Sequence, residues 1–145
     1  MLRRLLFLID PVPASRPRVS KWGTYYQKTY RNFKEAMPEI VQDAWIWDTF
    51  EEPCVLVLEI IKRKPKTTKL AFPSPDIDNF EKAVYDAMNK RVFKDDSQIQ
   101  LAVVGKRWAR EGEEPHISVT IATQSDRSWT KFRPLVKKLW DSVLG

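Results

Sequence analysis

The sequence predicts a single α/β domain of the α+β type, because strand-like apolar runs alternate along it with amphipathic helical segments. The chain has 145 residues, enough to bury one core without disulfides or a structural metal. No internal repeat, domain linker or low-complexity segment divides it. We therefore expect one domain over residues 1–145, with a helical tail at about 128–145.

Four segments have strand patterns. The apolar run 5–9 predicts a buried strand, and the run 54–61, broken only by Glu59, is typical of a central strand with both faces covered. Residues 99–108 and 116–122 alternate between apolar and polar side chains. These last two strands are expected to form an antiparallel hairpin with one face on the core.

Helical spacing of apolar residues predicts one helix from about 30 to 45 and another from 79 to 90. Pro38 should kink or restart the first helix, since proline lacks an amide and crowds the preceding turn. A third helix is expected in the tail, where it would close the core or pair with a second copy.

The chain is basic, with a net charge of +6 and an isoelectric point near 9.5. This balance suggests a polyanionic partner, first nucleic acid and second an anionic membrane surface. No run approaches the roughly 20 apolar residues of a membrane span, and the N-terminal run is too short for a signal peptide. A cytoplasmic location is expected. Cys54, the single cysteine, is expected to be a small buried hydrophobe.

Cations concentrate in two segments. Residues 11–28 mix prolines, cations and aromatic side chains, which suits phosphate contacts and base stacking in a long loop. Residues 62–69 hold five cations in eight positions. The alternative is that both segments are solvated loops. The candidate DNA-binding residues are Arg16, Arg18, Lys21, Lys62, Arg63, Lys64, Lys66, Lys69 and Lys106.

Acidic residues gather next to the second basic segment. Pro73 and Pro75 favour extended backbone, so Asp76 and Asp78 are expected to point to the same side while Ile77 points into the core. Two neighbouring carboxylates that both stay ionised call for a cation. Oxygen ligands suit Mg²⁺ or Mn²⁺, and the single cysteine and single histidine argue against zinc.

A third ligand is expected from the Asp95-Asp96 pair. Asp96 shares its side of the following strand with Gln98 and is the favoured ligand, which leaves Asp95 as an outer or turn residue. Lys82 lies one helical turn after Asp78, so its ammonium would reach the same site. Carboxylate-held divalent ions on a basic surface are typical of phosphodiester hydrolysis.

Structural roles are the alternative for each residue. Asp78 would make a helix N-cap, with Glu81 completing a capping box. The residues 95–97 would form a turn, and Lys82 would pair with Asp86 on the helix surface. These alternatives stay open, although they leave Asp76 without a role.

The acidic residues together resemble the signature of the RusA family of Holliday junction resolvases, which are crossover junction endodeoxyribonucleases. The resemblance rests on Pro75-Asp76-Ile77-Asp78-Asn79, then Lys82, Asp86-Ala87 and Asp95-Asp96-Ser97-Gln98. It is clearest over residues 76–98 and extends to about 121. Arg16-Pro17-Arg18 also resembles the basic N-terminal segment of phage-type members.

This resemblance implies a homodimeric, Mg²⁺-dependent endonuclease of DNA recombination and repair, which nicks opposed strands of a four-way junction symmetrically. It implies that Asp76, Asp78 and Asp96 are catalytic metal-binding carboxylates and that Lys82 is a catalytic lysine. Asp95 matches the adjacent acid of the family and is an additional candidate ligand. It also implies an α/β subunit with a mixed β-sheet and helices packed against it.

The chain departs from the family pattern at residues 70–75, which carry no basic run. Phosphate contacts are therefore expected from residues 62–69, and Phe72 becomes a candidate wedge against junction bases. Two other functions are considered. One is the same chemistry on flaps or other branched DNA, and the other is a non-catalytic architectural protein that binds junctions through the same loops.

Overall fold

The computed structural model describes residues 1–123 and 130–145. They form a single α+β domain, as the sequence predicts, with a four-stranded mixed sheet and helices against it. A 3₁₀ turn at Asp96–Gln98 precedes the strand that begins at Ile99. The strands are β1 Leu2–Phe7, β2 Arg18–Ser20, β3 Gly23–Tyr25, β4 Cys54–Lys62, β5 Ile99–Trp108 and β6 His116–Thr123. The helices are α1 Lys28–Ala44, α2 Ile77–Met88 and α3 Phe132–Leu144.

The sheet is organised around β4. The strand order is β1-β6-β4-β5, with β4 parallel to β5 and antiparallel to β6. Leu56, Leu58 and Ile60 on β4 are completely buried, which confirms the central strand expected from its apolar run. Cys54 at its start is also buried, and burial raises the pKa of its thiol to about 11. This thiol is therefore protonated and unreactive at neutral pH.

The hairpin predicted for residues 99–108 and 116–122 is wrong. β5 and β6 do not pair with each other, because β4 lies between them and pairs with both. After β5 the chain crosses the end of β4, where the amide of Ala109 donates to the carbonyl of Lys62 at 2.7 Å. Alternating apolar and polar side chains indicate that one face of a strand is buried, but they do not indicate which strand it pairs with. Here β4 pairs with β5 along one edge and with β6 along the other.

Two expectations near the N-terminus also change. β1 ends at Phe7 and is an edge strand with only one face buried, since Leu6 and Leu8 are 44% and 72% exposed. The segment 11–28, predicted as a loop, contains a separate two-stranded hairpin formed by β2 and β3. Short strands of three residues leave little periodic pattern, so the sequence signal for them is weak.

Helices α1 and α2 cover one face of the sheet. Their buried residues form one core with the inner side chains of β1, β4 and β6. Helix α1 continues through Pro38 as one element, so the predicted restart does not occur. Met37 and Val41 on either side are buried, and this packing holds the helix across the missing amide. Within the described ranges, no helix is both long and apolar enough to cross a membrane.

Helix α3 lies on the other face of the sheet, over β4 and β5. Successive residues of β5 point to opposite faces, so Val104 packs on the core while Gly105 meets α3. Leu139 of α3 is buried there, whereas Trp140 is 65% exposed. Residues 128 and 129 of the predicted tail lie outside the described residues, and the described helix begins at Phe132.

A polar network fixes α3 to the sheet. The Ser142 hydroxyl accepts a hydrogen bond from Arg107 Nε and donates one to Glu59 Oε1, each at 3.0 Å. Arg107 also donates to both carboxylate oxygens of Glu113, with an Nη2–Oε2 distance of 2.8 Å. The hydrogen bond from Arg107 lowers the pKa of Glu113 to about 2. A charged pair thus supports the position of a helix in which only Leu139 is buried.

Substituting Gly105→Ala should destabilise the protein by about 1–3 kcal/mol, because the new methyl overpacks the contact with α3. An added Cβ would lie 2.7 Å from Val143 Cγ2 and 3.1 Å from Leu139 Cδ1. Chemical denaturation followed by circular dichroism measures the change. Adding Val143→Ala should restore part of the loss, and an unchanged midpoint for Gly105→Ala would contradict this packing.

Substituting Glu113→Gln should lower the free energy of unfolding by on the order of 2 kcal/mol at pH 7. The folded-state pKa of Glu113 is depressed, so its contribution is present above its ordinary value of 4.5 and disappears as pH falls towards 2. The difference from wild type should therefore narrow between pH 5 and pH 3 in denaturation experiments. The control is Glu114→Gln, since Glu114 is exposed and should change stability by less than about 0.5 kcal/mol.

Candidate active site

Several candidate segments meet at the edge of the sheet where β1, β4 and β5 end. β4 and β5 are parallel, and β1 has the same direction because both β1 and β4 run antiparallel to β6. The segment with Arg16 and Arg18 follows β1, and the basic loop follows β4. We call this edge, comprising residues 10–18, 62–76 and 106–108, the carboxyl edge.

The start of α2 is tied to the carboxyl edge by β5. The ammonium of Lys106 donates to the carbonyls of Pro73 and Pro75, at 2.6 and 2.7 Å. The indole of Trp108 donates to the carbonyl of Leu70 at 2.9 Å. These bonds hold the segment before α2 against the end of β5. Lys106, expected to contact DNA, therefore positions the acidic residues, and its DNA contact stays a prediction.

Asp76 and Asp78 are both exposed at the N-terminus of α2. The extended backbone expected for residues 76–78 ends at Asp76, because the helix begins at Ile77, which is half-buried. Asp76 rather than Asp78 occupies the N-cap position, and its side chain makes no capping hydrogen bond. Both carboxylates therefore face solvent at the N-terminus of the helix.

Lys82 forms the surface pair considered from the sequence. Its ammonium lies 3.1 Å from Asp86 Oδ2, one turn further along α2, and its side chain is 66% exposed. The same face carries Asp78 one turn earlier. The amide of Ala14 donates to the carbonyl of Asn79 at 2.8 Å, so the segment with Arg16 is attached beside Asp78.

Asp95 and Asp96 lie in the 3₁₀ turn before β5, with different partners. Asp95 caps the turn, since its Oδ2 accepts the amide of Ser97 at 3.0 Å and its own amide donates to Gln98 Oε1 at 2.9 Å. The hydrogen bonds from Ser97 lower the pKa of Asp95. Asp96 is half-buried, and its Oδ2 accepts from Asn89 Nδ2 at 3.4 Å. The expected turn is therefore present, and Asp96 is the residue held beside α2.

One chain does not bring Asp96 to Asp78. Helix α2 has 12 residues, which makes it about 18 Å long. Asp78 is in its first turn, whereas Asp96 contacts Asn89 just after its last turn. Consistent with this separation, residues 1–123 and 130–145 contain no group of three or more His, Cys, Asp or Glu that could hold a metal ion.

The cations of the basic loop after β4 are of two kinds, those that bond to other parts of the chain and those that are exposed. Lys62 donates to the carbonyl of Pro11 at 2.7 Å and lies 3.6 Å from Asp10 Oδ2. The amide of Arg63 donates to Asp10 Oδ1 at 2.9 Å, and its guanidinium pairs with Glu114 at 3.4 Å on the surface. These two residues join the loop to the end of β1. The cations that are exposed at or beside the carboxyl edge are Arg16, Arg18, Lys21, Lys64, Lys66 and Lys69.

Sequence reasoning missed two groups beside Asp96. The side-chain amide of Asn89 donates to the carboxylate of Asp96, and the Oδ1 atom of Asn89 is buried with no hydrogen-bond partner. The Tyr85 hydroxyl donates to Glu81 Oε1 at 2.7 Å, and burial with this carboxylate raises the pKa of Tyr85. Both residues lie within or next to a predicted helix, where the sequence offered helical periodicity and no sign of their partners.

The sequence model of the family described as Endodeoxyribonuclease RusA matches residues 9–122. The chain belongs to the RusA endodeoxyribonuclease family. This confirms the resemblance over residues 76–98, and the family acts on branched DNA junctions in recombination. The match includes every candidate site residue and ends in β6, so α3 lies beyond it.

A curated protein of Bacillus subtilis (strain 168), the uncharacterized protein YqaN, is also similar to this chain. The two are 43% identical over 63 residues, which are 41% of this chain and 42% of YqaN. The chain therefore spans less than half of the length of this relative. The name of YqaN assigns no activity, so this likeness adds a relative and not a function.

Proposed function

We propose that this protein is a divalent-metal-dependent endonuclease that resolves Holliday junctions by paired symmetric nicks. The observation that carries the proposal is the pair of exposed carboxylates, Asp76 and Asp78, at the carboxyl edge of a RusA-family chain. They stand beside exposed cations that suit the phosphates of two converging DNA arms. The cytoplasmic location expected from the sequence stays a prediction.

The proposed cofactor is Mg²⁺, with Mn²⁺ as a substitute. Its proposed ligands are Asp76, Asp78 and Asp96, with Asp95 as an additional candidate, because carboxylate oxygens are the donors that Mg²⁺ prefers. When bound, the ion would activate water and stabilise charge on the reacting phosphate. The donors have the right chemistry, but the described residues of one chain do not assemble them into one group.

A second copy of the chain is proposed to complete each site. In a two-fold homodimer, Asp96 of one copy would lie against Asp76 and Asp78 of the other, and two equivalent sites would result. Two equivalent sites also suit symmetric nicking of opposed strands. Support comes from the position of Asp96 near the far end of α2 from Asp78.

Lys82 is proposed to contact the scissile phosphate. Its ammonium is exposed and shares a helix face with Asp78, so a phosphate could replace Asp86 as its partner. The proposed phosphate contacts away from the scissile bond are Arg16, Arg18, Lys21, Lys64, Lys66 and Lys69. Phe72, 59% exposed before α2, stays a candidate wedge.

A non-catalytic junction-binding protein is the second candidate function. The absence of a three-ligand group in the described part of one chain is the observation that favours it. Such a protein would bind junctions in a salt-dependent way, and EDTA would make no difference. The exposed acids disfavour it, because Asp76 and Asp78 would repel bound phosphates without a cation.

Substituting Asp96→Asn should reduce cleavage of a four-way junction by more than about 100-fold. Removing a side chain that hydrogen-bonds a metal ligand lowers activity by about 10- to 100-fold, and loss of the ligand itself should lower it further. Binding should persist or strengthen, because the change removes only one negative charge. The measurements are single-turnover cleavage in Mg²⁺ and binding in EDTA. Asp43→Asn is the control, since Asp43 is an exposed acid of α1 that is not a candidate ligand and should retain full activity.

Normal cleavage by Asp96→Asn in Mg²⁺ would contradict the assigned role of this residue. The same assay on four-way, three-way, flap and duplex DNA tells a junction resolvase from a nuclease with broader substrates. No nicking by wild type on any substrate, with any divalent ion, would instead establish the architectural function.

Mixing two inactive variants tests whether sites are shared between copies. A dimer of an Asp78→Asn copy with an Asp96→Asn copy contains one site with all its carboxylates intact, if each site takes Asp96 from the partner. Refolding the two variants together should therefore recover about a quarter of wild-type cleavage sites by random pairing. The products should be single nicks rather than paired ones. No recovery in a verified mixed dimer would show that each copy holds a whole site.

A further inference from the structure

The β2–β3 hairpin presents a tryptophan at its tip. Its two strands pair Arg18 with Tyr25 and Ser20 with Gly23, which leaves Lys21 and Trp22 as the two-residue turn. Trp22 is 87% exposed, more than any other large apolar side chain identified as exposed in the described residues. With three-residue strands, the turn stands about 10 Å beyond the hairpin base. An indole held in this way is placed to meet something outside the chain.

The backbone of the tip is fixed. The Ser20 hydroxyl accepts the amide of Trp22 and donates to the carbonyl of Gly23, both at 3.2 Å. Gly23 has φ +121°, which other residues rarely adopt, although an added Cβ would meet nothing within 4 Å. The glycine is therefore required by the turn and not by packing. Lys21 Nζ lies 5.1 Å from the Trp22 ring, so a cation accompanies the indole.

The two ends of the hairpin are attached to two different helices, the entry side to α2 and the exit side to α1. On the entry side, Ala14 is bonded to Asn79, next to Asp78. On the exit side, Tyr26 packs edge-on against Tyr30 at 5.3 Å. Tyr30 is buried, and burial together with nearby Asp86 raises its pKa to about 12. The hairpin is thus held by both helices, next to Asp78 on its entry side and near Asp86 on its exit side.

We propose that Trp22 stacks on a base at the branch point of the DNA, while Arg18 and Lys21 bind the adjoining phosphates. An aromatic ring next to cations suits the face of a base flanked by phosphates. Inside a duplex each base is covered by its neighbours, whereas a branch point exposes base faces. Trp22 would therefore favour branched over linear DNA. This inference rests on the proposed function, because it takes branched DNA as the substrate.

The test measures DNA binding by variants in an Asp96→Asn background, so that the DNA stays intact. The probes are a four-way junction with 2-aminopurine at the branch point and a duplex matching one arm. Trp22→Ala should weaken junction binding about 10-fold, as loss of one stacked base does. Duplex binding should be unchanged, and the 2-aminopurine emission change on binding should disappear.

Two variants serve as controls. Trp22→Phe keeps an aromatic ring and should retain most of the junction affinity and the emission change. Trp140→Ala removes a different exposed tryptophan, 65% exposed on α3, and should leave both readouts as in the parent. Thermal unfolding of each variant establishes that it is folded, which the exposure of Trp22 leads us to expect.

Four results would overturn the inference. Equal loss of junction and duplex affinity in Trp22→Ala would make the indole a general contact. A change in oligomeric state on sedimentation would make the hairpin a protein interface. If the parent prefers junctions and Trp22→Ala keeps the same junction affinity and emission change, the inference is refuted while the proposed function stands. A parent without junction preference and a wild type without nicking would refute the proposed function as well.

Discussion

Pairing of β4 with two partners is the constraint on which the rest of the structure depends. β4 is apolar on both faces and takes β5 in parallel and β6 antiparallel, so neither of its edges is left open. β1 runs in the same direction as β4 and β5, so all three strands end at the same edge of the sheet. The basic loop, the Arg16 segment and the start of α2 meet there for this reason. Without this topology the candidate residues would be scattered over the surface.

Several cations of this basic chain serve the fold before they serve any partner. Lys106 holds the segment before α2, Lys62 holds the end of β1, and Arg107 holds the network beneath α3. The net charge of +6 therefore overstates the positive charge that is available to bind phosphates. The exposed cations are nevertheless grouped on loops at or beside the carboxyl edge, where they can act together.

The part of the chain beyond the family match has its own structural role. Helix α3 covers the face of β4 and β5 that α1 and α2 leave open, and Gly105 permits its close approach. This addition uses a charged network as well as apolar contacts, since only Leu139 of the helix is fully buried. The candidate site lies at the carboxyl edge, so α3 adds to the domain without entering that site.

The sequence by itself determined the three helices, the long strands and the family, because side-chain periodicity and the spacing of Asp76, Asp78 and Asp96 are local properties. Only the tertiary structure decided that β5 and β6 both pair with β4, since backbone pairing leaves no mark on side-chain period. The sequence also favoured Asp96 over Asp95, because Asp96 shares the polar side of the strand that follows. Side-chain periodicity does not show, however, which end of α2 Asp96 lies against. The structure decided that: the length of α2 keeps Asp96 from Asp78 within one chain.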